Sequence, residues 1–206
     1  MAVGERPVVR GRHMKSLVGA LEAWEGGARP LALLPAEALR TISGAGGLDW
    51  LPMALNLQAT RAIYDGLGAA GADRFFRAHT LSSFDGPILQ TMVTTGVRIL
   101  GLDPASFARW VPKAWHMIFR GVGEWTVGAQ PPGATSVLLT LGSLPSECAD
   151  DQVWARSVAR SLDALFDLAR VRGTVDLPPR AHGGREVQLE LRWSPPSARK
   201  GGPPGA

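Results

Sequence analysis

The clearest indication of fold class in this chain is the strict alternation of polar and apolar residues over Glu186-Val187-Gln188-Leu189-Glu190-Leu191-Arg192-Trp193. Side chains of a strand point alternately to its two faces, so Val187, Leu189, Leu191 and Trp193 share one face. The pattern predicts a strand that is buried on that face and exposed on the other. Such a strand is typical of an antiparallel sheet that is covered on one side.

The preceding segments supply partners for this strand. Strand-like composition recurs in Trp125-Thr126-Val127 and in residues 136–141, and residues 150–170 return to helical spacing. A short strand over 174–177 ends at Pro178-Pro179, which predicts an edge position because proline has no N–H to donate to a neighbour. The second half therefore reads as strand–strand–helix–strand–strand, or ββαββ.

The first half has helical spacing throughout. Apolar residues three and four apart predict helices over 14–24, 35–42, 53–67, 72–78 and 87–100. Pro112 lies inside the aromatic segment that follows and predicts two short helices meeting near Val111. We expect an α+β fold in a single domain, residues 8–193. Its N-terminal helical half (8–121) packs on a C-terminal antiparallel sheet of ββαββ order (122–193), and residues 194–206 form a disordered tail.

Composition excludes several classes of protein. The chain has 206 residues, one cysteine and a formal net charge of +4, which leaves no internal disulfide and fits a reducing, cytoplasmic setting. No apolar run approaches the roughly 20 residues that span a bilayer. The sequence therefore predicts no membrane span. The basic residues are scattered rather than clustered, so it predicts no nucleic-acid binding either.

No catalytic or metal-binding constellation is visible. The histidines (His13, His79, His116 and His182) are dispersed and have no partner ligand at metal-binding spacing. His116 shares one helical side with Lys113 and Arg120, which favours a solvated polar face, with a haem ligand or general base as the alternative. Cys148 has no partner base and is interpreted as a structural thiol. The sequence predicts no catalytic residue, no metal and no cofactor.

Aromatic residues offer the only candidate pocket. Two tryptophans flank the Pro112 break, so we expect an apolar pocket between helices and sheet whose candidate ligand-binding residues are Trp110, Trp115, Phe119 and Met92.

The chain resembles a family of paralogous myxobacterial proteins of similar length. The resemblance rests on Trp50-Leu51-Pro52 before a long helix, on Phe107-Ala108-Arg109-Trp110, on Trp115 through Phe119 ahead of Gly121, and on the final strand. This layout in turn resembles the ligand-binding domains shared by haem nitric-oxide sensors, vinyl-reductase-type domains and Golgi-tethering subunits. It implies a scaffold of helices on one face of a small antiparallel sheet.

Two departures limit what the resemblance implies. Haem sensors of that superfamily carry a Tyr-x-Ser-x-Arg motif for the haem propionates, but Tyr64, the single tyrosine here, lies in Tyr64-Asp65-Gly66-Leu67-Gly68. Vinyl-reductase-type domains often have cysteines near the last strands, where this chain has none. The resemblance thus implies the scaffold more than a haem or metal role.

The expected function is a non-catalytic regulatory or adaptor module that binds another protein, with room for a small apolar ligand between helices and sheet. Homodimerisation through a helix face is compatible with this scaffold. One alternative is a sensor domain for haem or another cofactor, with His116 or His79 as the donor. A second alternative is an enzyme acting on an apolar small molecule, which would need an acid and a base converging in one cleft.

Overall fold

The elements alternate between a helical layer and two sheets. The computed structural model describes residues 6–83, 104–131, 133–178 and 184–194. In chain order they form β1 (Val8–Arg10), α1 (Gly11–Glu22), α2 (Ala28–Leu33), α3 (Ala36–Gly44), β2 (Trp50–Pro52), α4 (Met53–Ser83), α5 (Pro104–Ile118), β3 (Phe119–Arg120), β4 (Glu124–Val127), β5 (Ser136–Gly142), α6 (Ser146–Ala149), α7 (Gln152–Leu162), α8 (Ala164–Ala169), β6 (Gly173–Asp176) and β7 (Val187–Trp193).

The main sheet has the order β4-β5-β7-β6, and every neighbouring pair is antiparallel. Leu139 pairs with Leu189 and Val175 with Leu191, so the apolar side chains of three strands meet on one face. Val187, Leu189, Leu191 and Trp193 are all buried there. The α+β class, the ββαββ order, the buried face of β7 and the edge position of β6 are confirmed.

The longest helix, α4, contains a break that the sequence indicates only indirectly. Gly68 has φ 69° and ψ 168°, which are not helical values, and the chain is helical on both sides of it. A positive φ is accessible to glycine because it lacks a Cβ. The predicted helices over 53–67 and 72–78 are therefore two arms of one element, and the second arm extends to Ser83.

The expectation that Pro112 divides its helix is wrong. α5 runs without interruption from Pro104 to Ile118 with Pro112 inside it. Proline removes one backbone hydrogen bond and crowds the preceding turn. Ala108, Val111 and Trp115 lie on either side of Pro112 along the helix and are all buried, so the packing of one continuous face offsets this local cost.

A second, three-stranded sheet of order β2-β1-β3 was not expected. Val9 pairs with Leu51 on one side and with Phe119 on the other. Each strand has two or three residues, too few to show a period of two, and the pairings join distant parts of the chain. Residue patterns alone therefore indicated neither a strand at Val8–Arg10 nor the helix α2.

Arginine–aspartate pairs fasten α4 to the helices of the second half. Arg156 donates two hydrogen bonds to Asp73 (2.9 and 2.6 Å), and Arg77 donates two to Asp167 (both 2.6 Å). Paired N–H groups on one carboxylate fix orientation as well as distance. The two halves are thus joined by directed contacts in addition to the shared core.

Within the described residues, no helix is long and apolar enough to cross a membrane. The predicted helix over 87–100 and residues 195–206 of the predicted tail lie outside the described residues.

Candidate functional site

Two histidines from distant parts of the chain meet in the helical layer. His13 lies on α1 and His79 on the second arm of α4, and their ring centroids are 5.6 Å apart. The buried residues Met14, Leu17 and Leu21 hold the apolar side of α1 against the core. Phe75 precedes His79 by one helical turn and is buried as well, so ordinary core packing brings the two imidazoles together.

The two rings have different surroundings. His79 is 5% exposed, stacks on Phe75 with ring centroids 5.9 Å apart, and its Nε2 lies 3.1 Å from the hydroxyl oxygen of Ser16. His13 is partly buried and meets Phe119 edge to face at 5.7 Å. Among the described residues, no group forms a hydrogen bond with the ring nitrogens of His13. One imidazole is thus fixed by a hydroxyl and the other is held only by rings.

Both imidazoles are neutral at physiological pH. Burial lowers the pKa of His13 to about 3, with the charge of His79 adding to the effect, and burial lowers the pKa of His79 to about 4. Transfer from water disfavours the charged form of a histidine, which explains the direction of both shifts. A neutral imidazole carries a free nitrogen lone pair, the form that accepts hydrogen bonds and binds metal centres.

Aromatic side chains continue from this pair to the main sheet. Phe119 contacts Trp115 at 4.3 Å between ring centroids, and Trp115 meets Trp125 edge to face at 5.6 Å. We call His79, His13, Phe119, Trp115 and Trp125 the aromatic row. The row joins α4, α1, β3, α5 and β4, so a ligand at the histidines would contact a packed path to the sheet.

The tryptophans of this region differ in how their indole N–H groups are used. Trp115 donates to the carbonyl of Val122 (3.2 Å), and Trp154, which packs on Trp115, donates to the side-chain oxygen of Asn56 (3.2 Å). The Nε1 of Trp125 is buried and has no acceptor among the described residues. A buried donor without a partner is uncommon in folded proteins. The aromatic row thus has an unused polar group near each end, in His13 and Trp125.

The structure brings together only part of the predicted pocket. Trp115 and Phe119 are in contact and buried in the aromatic row. Trp110 lies on the opposite side of α5 and is 39% exposed, and Met92 lies outside the described residues. The four-residue pocket stays a prediction. Two shallow depressions with volumes of about 430 and 420 Å³ occur in the described part of the chain, at residues 143 and 184–186 and along α5, and neither is lined by the aromatic row.

Other side chains with possible reactivity lie away from the two histidines, and Cys148 and Asp151 have structural roles. Burial raises the pKa of the Cys148 thiol to about 12, with Glu147 and Asp151 adding to the effect, which agrees with a structural thiol. His116 is exposed on α5. Asp151 accepts a hydrogen bond from the backbone N–H of Trp154 (2.9 Å) and so caps α7.

Four aspartates on or beside the helices are likewise engaged with arginines. The ion pairs are Arg156–Asp73, Arg61–Asp151, Arg160–Asp163 and Arg77–Asp167. No group of three or more histidine, cysteine, aspartate or glutamate side chains in the described ranges could hold a metal ion. The described site offers two neutral imidazoles and aromatic walls rather than an acid–base pair.

Sequence reasoning missed His13 and Trp125 as site residues and placed His79 without a partner. Their proximity depends on the packing of α1 against α4, which no local spacing reveals. One signal was present: His79 follows Phe75 at a step of four residues on the apolar side of its helix, where a solvated histidine is out of place.

Comparisons with known proteins identify the fold. No family model matches the chain, and no curated protein matches it. Solved structures of H-NOX domains do match. The Fe(II) unliganded H-NOX protein from K. algicida superposes with a TM-score of 0.60 at 10% identity, covering 92% of this chain and 98% of that one.

Two further H-NOX structures show the same likeness. A mutant H-NOX of T. tengcongensis gives a TM-score of 0.53 at 9% identity, with 92% and 100% of the two chains covered. An oxygen-binding H-NOX domain related to soluble guanylate cyclases gives 0.52 at 8% identity, with 91% and 96% covered. The chain therefore has the fold of H-NOX domains.

Proposed function

We propose that this chain is a non-catalytic sensor domain that binds its ligand at His13 and His79. The observation that carries the proposal is the pair of neutral imidazoles at one end of the aromatic row, one of them without a hydrogen-bond partner among the described residues. Its fold, shared with H-NOX domains, agrees with a ligand-binding role. Because one fold hosts many functions, the chemistry of the two histidines, and not the likeness, carries the proposal.

Haem is the ligand that the donor chemistry favours. A neutral imidazole is the usual proximal ligand of haem iron in globins and peroxidases. His13 and His79 are both neutral and lie beside the apolar rings of Phe75 and Phe119. The donor set therefore suits coordination of haem iron, and the bound iron would supply a coordination site for a small gas molecule.

The propionate contacts would differ from those of the Tyr-x-Ser-x-Arg motif. Tyr64 donates its hydroxyl proton to Asp73 (2.9 Å), stacks on Phe76, and lies near Arg156. Burial and the bond to Asp73 raise the pKa of Tyr64, so its hydroxyl stays protonated and committed to this contact. His13 and His79 are the residues of this chain that would hold the group.

We expect these two histidines to have different tasks, because their packing differs. The Ser16 hydroxyl lies 3.1 Å from Nε2 of His79 and fixes that ring against Phe75, whereas His13 has no such restraint. We expect His13 to make the adjustable contact with the ligand and His79 to orient the site. Trp115 and Trp125 follow Phe119 in the aromatic row. A displacement of Phe119 on ligand binding would therefore be passed through their ring contacts to the main sheet.

Haemin titration of the purified chain tests the proposal. We expect a shifted Soret band with saturable binding, a lost or strongly weakened shift in His13→Ala and His79→Ala, and an unchanged shift in His116→Ala, whose side chain is exposed on α5. The His116 variant is the matched control for histidine removal in general. An unshifted Soret band with the folded protein, or equal binding by all three variants, would show that haem is not the ligand of this site.

A further inference from the structure

The side of α5 that faces away from the core carries an exposed apolar stripe. Ser106, Trp110, Lys113 and Met117 follow one another at steps of four, three and four residues and so lie along one line of the helix. Trp110 is 39% exposed and Met117 59% exposed. Single exposed apolar side chains are ordinary, but two of them aligned on a helix suggest a contact surface.

The loop that carries Leu48 extends this stripe beyond the end of α5. The guanidinium of Arg10 donates to the carbonyl of Leu48 (2.7 Å) and to the carbonyl of Met117 (3.5 Å), so one side chain joins both segments. The side chain of Leu48 is 82% exposed. We call Trp110, Met117 and Leu48, with the cations around them, the α5 patch.

Cations surround these apolar residues. The guanidinium groups of Arg10 and Arg120 lie 3.7 and 4.3 Å from the ring centre of Trp50, and the Lys113 ammonium lies 5.1 Å from that of Trp110. Arg109 lines the depression of about 420 Å³ beside Trp110. Arg10, Lys113 and Arg120 thus lie against indole rings, and Arg109 donates a hydrogen bond to the Ser106 hydroxyl (3.3 Å).

None of these four cations has a carboxylate within ion-pair distance among the described residues. Asp49, next to Leu48, accepts a hydrogen bond from the Gly46 N–H (2.6 Å) instead. In contrast, Arg61, Arg77 and Arg156 on the other helices are each paired with an aspartate. The α5 patch is therefore apolar at its centre and positively charged at its margin.

We propose that the α5 patch docks an acidic amphipathic segment of a partner protein. Charge complementarity selects this occupant, because carboxylates of the partner would meet the positive charges of Arg10, Arg109 and Arg120. Trp and Met are side chains that anchor interfaces. The stripe from Ser106 to Met117 is about 16 Å long, the length of about three helical turns. A second copy of this chain would instead oppose cations to cations across a two-fold axis.

Designed peptides test this without a known partner. The probe is a fluorescein-labelled helix of about 14 residues with leucine on one face and glutamate on the other; its counterparts carry lysine for glutamate or serine for leucine. We expect saturable fluorescence anisotropy with the Glu/Leu peptide alone. Lys113→Glu and Trp110→Ala should each weaken its binding about tenfold or more.

The matched control is Arg192→Glu, which makes the same charge change on the exposed face of β7 and should leave binding unchanged. Circular dichroism and thermal melting verify that each variant is folded. Three outcomes would overturn the proposal. They are equal binding of the Lys/Leu or Glu/Ser peptide, dimerisation in sedimentation experiments that Met117→Asp abolishes, and binding of anionic phosphatidylglycerol vesicles with no binding of the Glu/Leu peptide.

Discussion

Trp154→Ala should lower the free energy of unfolding by about 4–5 kcal/mol, near the top of the range for removing a buried tryptophan. Trp154 is 1% exposed and packs on Trp115, with ring centroids 6.1 Å apart. Its indole N–H donates to the side-chain oxygen of Asn56 (3.2 Å). Alanine leaves a cavity between α7 and α4, and it also leaves the buried Asn56 oxygen without a donor, which adds to the cost.

Urea unfolding followed by far-ultraviolet circular dichroism measures this loss. Trp154→Phe keeps most of the ring volume and removes the hydrogen bond. Its free energy of unfolding should therefore lie between those of the wild type and the alanine variant. Trp110→Ala, at an exposed position, is the matched control and should change stability by less than about 0.5 kcal/mol. A Trp154→Ala loss as small as that of the control would contradict the packing described above.

Acid should destabilise the fold through His79 before most carboxylates titrate. Burial lowers the pKa of His79 from its ordinary value of 6.5 to about 4, so the unfolded chain binds more protons than the folded chain between these values. Stability is then fully present above pH 6.5 and is lost as the pH falls towards 4. Linkage gives about 2–3 kcal/mol lost at pH 4.5 from this residue. His13, whose pKa is lowered to about 3, acts in the same direction.

Urea unfolding at pH 7 and at pH 4.5 separates titration from packing. His79→Gln removes the titrating ring, so its loss at pH 7 reports lost contacts with Phe75 and Ser16. The difference in the free energy of unfolding between the two pH values reports proton binding by His79. We expect this difference to shrink by about 2–3 kcal/mol in the variant. An undiminished difference would mean that His79 is already solvated in the folded protein.

Local sequence patterns were sufficient to predict much of the fold. β7 could be predicted because its alternation has a period of two and one face is buried along its whole length. Asp151 could be predicted as a cap because capping depends only on residues within the first turn. The continuous helix through Pro112 could not, since its local penalty is offset by the burial of Val111 and Trp115, which depends on the rest of the core.

The candidate site was harder to predict from the sequence, for the same reason. His13 and His79 are separated by two intervening helices and a strand, and each appears solitary in the sequence. The rings of Trp115 and Phe119, four residues apart in the sequence, are in contact, while the pocket proposed for them stays a prediction. Trp110, five residues before Trp115, points to the other side, because five residues advance the helix by well over one turn.

The α+β class, the ββαββ order and the buried face of the last strand follow from residue patterns alone, because periodicity is a property of neighbouring residues. Three features follow only from the folded arrangement of the described residues: the two imidazoles meet, the Trp125 N–H has no acceptor, and the cations near α5 have no acid beside them. These features arise from contacts between residues far apart in the chain, where packing and desolvation set distance and charge state.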